Sequence, residues 1–353
     1  MIRSRSYIAV PPGATIKEQL IDRNMSQKEF AARMDMSEKH ISRLINGEVQ
    51  LTPDVSVRLE IVLGVPARFW NNLEAIYREK LIKAEAENTM EIDLEIARRL
   101  PYREMADYGW VPKTDDKKEK VINLRKYFEV IQLSLLENTQ ITRIACRRLA
   151  ITEKSDLALL AWVQAARIKA RNIKTKPMNM KKFNEAVSVI RGMTVLKPDE
   201  FCPEMMRILA DCGVSVVFLP HLKGSFLHGA SFLDGTRIVI GLTDRGKDAD
   251  RFWFSLFHEF AHIALGHLEQ TEAVSEYDEK AADRWAEDRL INAENFDRFR
   301  TERDFSEKNV ISFAGKEGIA PGIVVGRLQS EGLIKHNMLN YLKKAYEIDE
   351  CGV

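Results

Sequence analysis

Residues 251–265, RFWFSLFHEFAHIAL, form an apolar run that contains the pattern H-E-x-x-H. Apolar residues nearly all the way round predict a buried helix. His258 and His262, four residues apart, share one face of such a helix and can both reach one metal ion. Burying them with the carboxylate of Glu259 costs free energy unless a cation pairs with them. The pattern therefore predicts a Zn²⁺ site, with a pair of hydrogen-bonded core histidines as the alternative.

A third protein ligand is expected downstream, because a catalytic zinc usually takes three and leaves the fourth position to water. Residues 279–290 suit a helix in which Glu279 and Asp283 share one face. We expect Glu279 to bind the metal and Asp283 to accept a hydrogen bond from the outer nitrogen of a ligand histidine. Glu276 is the alternative ligand, and a solvated acidic helix start is the alternative to any ligand.

The remaining histidines of this region are weaker candidates. Gly266 is expected to end the metal helix, so His267 should face elsewhere and stay outside the ligand set. His221 and His228 lie where the sequence reads as strand and turn, and only His228 is kept as a candidate substrate contact. Residues 236–242 read as a strand whose edge could pair with an extended substrate, although an ordinary structural strand is an equal interpretation.

Residues 200–330 resemble the ImmA/IrrE family of metallo-endopeptidases through the motifs RFWFSLFHEFAH and EKAADRWA. The resemblance implies that His258, His262 and Glu279 bind zinc. It also implies that Glu259 is the general base of a metal-assisted hydrolysis, which takes a proton from water and passes it to the leaving amine. A zincin-like domain and a regulatory protein as substrate are further implications of this resemblance.

A second signal lies at the N-terminus, where residues 15–63 read as short helices separated by turns. Ser26 begins one helix in a capping box. Ser37 caps a second helix over residues 38–45, and residues 46–47, Asn-Gly, end it. Two helices joined by a tight turn, the second with a polar outer face, are the arrangement that lays one helix in the major groove of DNA.

Residues 11–80 resemble the helix-turn-helix domain of HigA-like antitoxins and related repressors through PPGATIKEQL, MSQKEFA and ISRLINGEVQLTP. The resemblance implies an operator of double-stranded DNA as partner. Glu38 would accept a hydrogen bond from a cytosine amino group. For each contact residue a solvated helix face is the equal alternative. The candidate contacts are Gln27, Ser37, Glu38, Lys39, His40 and Arg43.

Charge gives the DNA interpretation modest support. The chain has 353 residues and a net charge of +1, and residues 1–80 hold 12 basic against 10 acidic residues. Strong DNA binders usually carry a larger excess, which dimerisation would offset by doubling the contacts. Residues 113–200 hold 19 basic against 10 acidic residues, so this stretch could touch a polyanion, although a solvated helical surface is the default.

These features predict a mainly α, multi-domain protein. We expect a helix-turn-helix bundle in residues 1–85 and a helical connector or sensor in residues 86–195. Residues 196–353 are expected to form a zincin-like α+β peptidase domain with a small antiparallel sheet and a helical C-terminal extension. In that extension, a helix pair over residues 307–328 looks like a second helix-turn-helix, and in this position we expect it to brace the metal helix.

Two functions fit this organisation. One is a transcriptional regulator with a zinc-dependent endopeptidase domain that cleaves a regulatory protein. The other is an antitoxin-like autorepressor whose metal is structural or whose peptidase fold only binds a partner. A homodimer is expected, with a toxin as an optional further partner. The start lacks a signal peptide, no apolar run approaches membrane length, and four cysteines show no disulfide framework, so we expect a cytoplasmic protein without membrane contact.

Overall fold

The computed structural model of the chain describes residues 2–4, 7–88, 90–137, 153–225, 228–243, 248–270 and 274–346. The chain divides into two compact units, Met1–Leu94 and Glu95–Val353. Helices dominate both units, so the expectation of a mainly helical, multi-domain protein is confirmed. No helix in the described part of the chain is long and apolar enough to cross a membrane. The predicted boundaries near residues 85 and 195 stay predictions, and residues 138–152 of the basic stretch lie outside the described residues.

The first unit begins with a short antiparallel pair of strands and continues as helices. The last helix of the series continues across the division between the units. The elements are β1 Ile2–Arg3, β2 Ile8–Ala9, α1 Gly13–Asp22, α2 Gln27–Arg33, α3 Glu38–Ile45, α4 Pro53–Leu63, α5 Ala67–Asn88 and α6 Met90–Arg99.

Local capping explains where α2 and α3 begin. The side chain of Ser26 accepts a hydrogen bond from the backbone N–H of Glu29, and Ser37 does the same for His40. Both predicted helix starts are therefore confirmed. Gly13 allows α1 to lie directly on the end of α3, because a Cβ there would stand 2.0 Å from the carbonyl oxygen of Ile45.

The second unit holds a series of helices on either side of one three-stranded sheet. Its further helices are α7 Tyr102–Asp107, α8 Lys117–Phe128, α9 Glu153–Ala170, α10 Met180–Gly192, α11 Pro198–Cys212, α12 Ala249–Ala264, α13 Glu276–Leu290, α14 Ala293–Glu302, α15 Glu307–Glu317 and α16 Pro321–Ser330. Its strands are β3 Val214–Leu219, β4 Gly229–Asp234 and β5 Arg237–Thr243. Short 3-10 turns occur at Leu133–Glu137, Met193–Val195 and Asn340–Leu342.

The sheet is mixed, and the prediction of an antiparallel sheet is wrong for one of its two pairings. β5 is antiparallel to β4 but parallel to β3, in the order β3-β5-β4. The two-residue turn at 235–236 joins β4 to β5 as an antiparallel pair. β3 pairs with the other side of β5, so β4 lies at the edge of the sheet. β5 is therefore central, and the suggestion that its edge could receive a substrate is also wrong.

Both faces of the central strand are covered. Ile240 points into the core formed with α10, α11 and α12. Its neighbour Gly241 faces the opposite way, since successive residues of a strand alternate, and there it meets Trp162 of α9. A Cβ at Gly241 would lie 2.6 Å from the Trp162 ring. Burial on both faces explains why β5 reads as an almost continuous apolar run.

The second helix of the C-terminal pair packs on the metal helix, and the first helix packs on the second. α16 contacts α12, and Ile323, Val324 and Leu328 of α16 belong to the same core as Phe257 and Phe260. This core fixes the position of α12 and of the residues that the helix presents.

Candidate metal centre and DNA-binding helix

α12 presents the three residues of the H-E-x-x-H pattern from one buried helix. Glu259 is 2% exposed and His262 is 1% exposed, while the side chain of His258 is mostly buried. The apolar residues between them pack the helix into the core, and the polar side chains are therefore buried as well. Such groups need close polar or ionic partners.

α13 supplies those partners from its first turns. Ser275 caps this helix in a capping box with Asp278, and the following residue is Glu279. Nε2 of His258 lies 3.3 Å from Oε2 of Glu279, and Nε2 of His262 lies 3.8 Å from Oε1. The two Nε2 atoms are 3.1 Å apart. These three side chains form a group that could hold a metal ion.

The spacing of this triangle suits a tetrahedral ion. With bonds of about 2.0–2.1 Å, two ligands of a tetrahedral zinc stand about 3.3 Å apart. The two ring nitrogens are 3.1 Å apart, and each lies nearest a different oxygen of Glu279, His258 at 3.3 Å from Oε2 and His262 at 3.8 Å from Oε1. Two imidazole nitrogens and one carboxylate oxygen are also an ordinary ligand set for zinc. The residues present therefore fit the ion that the sequence predicts.

The contact between His258 and Asp283 turns the other ring nitrogen of His258 toward the candidate metal position. Nδ1 of His258 lies 2.7 Å from Oδ1 of Asp283, and a carboxylate oxygen accepts, so the hydrogen of the neutral ring sits on Nδ1. The lone pair of Nε2 then points at Nε2 of His262 and at the carboxylate of Glu279. A metal ion between these atoms would accept this lone pair.

Glu259 lies beside this group and is held by the neighbouring strand. Ser231 of β4 donates a hydrogen bond of 2.6 Å to Oε2 of Glu259. A Cβ at Gly229, two residues earlier on the same face of β4, would stand 3.3 Å from Cγ of Glu259. The carboxylate is thus fixed in one orientation. Sequence reasoning missed Ser231, because no motif links it to a glutamate 28 residues away.

Two further predicted residues have clear positions. Glu276, the alternative ligand, is exposed and lies outside the group found among the described residues. His267 is buried, follows the end of α12, and lies with Nδ1 2.9 Å from Nδ1 of His262. It touches the outer nitrogen of that ring and not the triangle itself. Sequence reasoning did not anticipate this contact.

An open cavity of about 650 Å³ adjoins the metal candidates. His258, Glu259 and Glu279 lie in its wall, and so does His228, the candidate substrate contact. Burial raises the pKa of Glu287 in the same wall, although Arg327 opposes the shift. The cavity therefore reaches Glu259 and two of the metal candidates, His258 and Glu279.

In the first unit, α3 presents the predicted DNA-contacting residues at its surface. Ile41 and Leu44 are buried and fix the inner face of α3. Arg43 makes an exposed ion pair with Glu48, at 3.6 Å. Gln27 of α2 lies next to the start of α3, with its side-chain nitrogen 3.5 Å from the carbonyl oxygen of Glu38. The side chains of the predicted set are exposed except for one that is half-buried, and they are Gln27, Ser37, Glu38, Lys39, Arg43 and the half-buried His40.

The first unit is similar in sequence to known DNA-binding proteins. Residues 16–70 match the family described as Helix-turn-helix. The chain is also 37% identical over 81 residues to the uncharacterized HTH-type transcriptional regulator YddM of Escherichia coli (strain K12). The matched part is 23% of this chain and 82% of that protein.

The chain belongs to the helix-turn-helix family of transcriptional regulators. In this helix-turn-helix regulator, α2 and α3 both fall within the matched residues 16–70. Double-stranded DNA is the partner that the family implies. The metal candidates on α12 and α13 belong to the other unit of the regulator.

Proposed function

We propose that this helix-turn-helix regulator is also a zinc-dependent endopeptidase that cleaves a regulatory protein partner. The observation that carries the proposal is the triangle of His258, His262 and Glu279 with Glu259 beside it, at the wall of an open cavity. A purely structural zinc is usually closed by four protein ligands, whereas three ligands and a neighbouring carboxylate are the pattern of a hydrolase. The resemblance of residues 200–330 to ImmA/IrrE metallo-endopeptidases supports the same function.

His258, His262 and Glu279 would hold the ion, and Asp283 would fix the ring of His258. When bound, zinc supplies Lewis acidity that polarises the scissile carbonyl and makes water a stronger acid. Glu259 takes the proton of the attacking water and later passes it to the leaving amine. Ser231 keeps the accepting carboxylate oriented while the proton moves.

β4 offers a place for the substrate backbone. It is the edge strand on the side of the sheet that contacts α12, and Gly229 at its start also lies in the cavity wall. No strand in the described part of the chain covers the outer edge of β4. An extended peptide could add to this edge through main-chain hydrogen bonds, which would place a peptide bond near Glu259.

For the DNA-binding unit we propose an operator contacted by α3. Lys39 and Arg43 would bind phosphates or base edges, and Ser37, Glu38 and His40 would lie at the base edges. Gln27 of α2 would add a phosphate or base contact. A homodimer on a two-fold operator would double this surface. The substrate of the peptidase would then be another regulatory protein, and a toxin remains a further candidate partner.

Cleavage by the intact protein tests the enzymatic part of the proposal. The zinc-loaded regulator would be incubated with a peptide library prepared from whole bacterial cells, and new peptide termini would be identified by mass spectrometry. We expect the parent protein and Glu276→Gln to produce the same new termini and Glu259→Gln to produce none. Equal cleavage by Glu259→Gln would contradict the role of that residue. Zinc binding without any cleavage of the library or of candidate regulators would favour the autorepressor with a structural metal.

A further inference from the structure

The two candidate metal-binding histidines are supported differently at their outer nitrogens. Nδ1 of His258 meets a carboxylate directly, that of Asp283. Nδ1 of His262 meets a second imidazole, with 2.9 Å between it and Nδ1 of His267. His267 is 4% exposed, so its ring is shielded from water.

The end of α12 explains how His267 reaches this position. Gly266 adopts the left-handed conformation, with φ of 73°, and its N–H bonds to the carbonyl of Ile263. The N–H of His267 bonds to the carbonyl of His262 at 2.9 Å. These two bonds are those of a Schellman motif, in which the residue after the glycine packs against the residue five positions before it. That packing usually joins two apolar side chains, and here it joins two imidazoles.

The direction of the bond between the rings follows from the proposed site. If Nε2 of His262 is a ligand, its hydrogen must sit on Nδ1, and Nδ1 of His267 must accept it. The hydrogen of neutral His267 is then on its own Nε2. That atom lies 3.7 Å from Oδ1 of Asp278, whose other oxygen accepts from the N–H and hydroxyl of Ser275.

α13 therefore lies beside the outer sides of both rings. Asp283 is in hydrogen-bond contact with His258, whereas Asp278 lies 3.7 Å from Nε2 of His267, beyond the length of a hydrogen bond. His262 is the more deeply buried of the two histidines. A neutral imidazole can accept its hydrogen there without bringing another negative charge into the core.

We propose that His267 is a positioning residue for zinc, which fixes the tautomer and ring orientation of His262 as the acceptor of its Nδ1 hydrogen. This inference rests on the proposed metal site and adds a residue outside the ligand triangle. Outer partners of this kind typically change metal affinity by about 10- to 100-fold. His267 touches neither the ion nor the substrate, so its effect is expected in metal binding before it is expected in cleavage.

The test compares two replacements of His267 in the full-length protein. His267→Leu keeps an apolar contact suited to the end of the helix but cannot accept a hydrogen bond. His267→Asn can offer its side-chain oxygen close to the position of Nδ1. Zinc affinity would be measured by competition with a chromophoric chelator. The absorption spectrum of the Co²⁺-substituted proteins would report the ligand geometry, and circular dichroism would confirm folding.

We expect His267→Leu to bind zinc about 10- to 100-fold more weakly than the parent, with an altered Co²⁺ spectrum. His267→Asn should recover most of the affinity and the parental spectrum. Equal zinc affinity in the parent and the leucine variant would overturn the inference and leave the metal site standing. An equal loss in both variants would also overturn it, because the hydrogen-bond acceptor would then be irrelevant. A parent protein that binds no zinc would instead refute the proposed metal site.

Discussion

Oδ1 of Asp283 lies 2.7 Å from Nδ1 of His258, which fixes that ring from the side opposite its neighbour His262. Asp283 also stands one helical turn after Glu279, the third member of the candidate metal group. α13 thus contributes one carboxylate to the group and another to the outer side of a histidine. Truncation of the Asp283 side chain should therefore weaken zinc binding, although none of the three proposed ligands is changed.

Asp283→Ala is expected to weaken zinc binding by about 10- to 100-fold, because the His258 ring loses the acceptor that orients it. Competition with a chromophoric chelator would measure the change. Asp288→Ala is the matched control, since this residue is exposed on the same helix. An affinity unchanged by Asp283→Ala would show that the ring of His258 is held well enough by packing alone.

Ser231→Ala should lower kcat by about tenfold and leave zinc content and KM near parental values. The reason is that a hydrogen bond to a charged group contributes about 1.5–3 kcal/mol, part of which water can replace at an open cavity. Steady-state cleavage of a peptide recovered from the library would give both constants. Ser330→Ala, at an exposed position in the cavity wall, serves as the control. A rise in KM with unchanged kcat would mean that Ser231 binds substrate and does not orient Glu259.

Gly326→Ala is expected to destabilise the second unit by about 1–3 kcal/mol, as overpacking of a close contact does. A Cβ at this position would stand 2.6 Å from Oδ2 of Asp250, the atom that pairs with Lys343. Thermal or urea unfolding would measure the loss. Gly315→Ala is the control in a neighbouring helix, because nothing lies within 4 Å of its Cβ position. It should stabilise the protein by about 0.5–1 kcal/mol, so equal effects of the two changes would contradict the packing described for α16.

Arg43→Ala and Lys39→Ala should each weaken binding to a random-sequence DNA duplex and reduce the slope of log affinity against log salt by about one. Both side chains are exposed on α3. Fluorescence anisotropy at several salt concentrations would give the slopes. Lys80→Ala, an exposed cation on α5, should leave them unchanged. Equal losses for all three variants would mean that DNA is attracted by general charge and not by α3.

Local signals were the ones that sequence reasoning could use. The starts of α2 and α3 were predictable because Ser26 and Ser37 bond to backbone groups three residues away. Spacing along one helix also suggested that His258 and His262 share a face. These interactions depend only on residues that are near each other in the chain.

Long-range placement was harder to predict. The chain order of β4 and β5 does not reveal that β5 lies between its neighbours, so the sheet was expected to be antiparallel and its edge was assigned to the wrong strand. Ser231 could not be linked to Glu259 because strand pairing decides which face of β4 meets α12. The end of the helix at Gly266 was predictable, but not the direction of the chain after it, and the left-handed turn there brings His267 back to His262.

The zinc content of the purified protein, measured by elemental analysis without added metal, tests the central claim most directly. His262→Ala removes one proposed ligand. Glu276→Gln changes an exposed residue outside the metal group and controls for loss of zinc during purification. We predict about one zinc per chain in the parent and in Glu276→Gln, and none in His262→Ala. A folded parent protein without zinc, which also binds none when zinc is supplied, would contradict the metal centre proposed on α12 and α13.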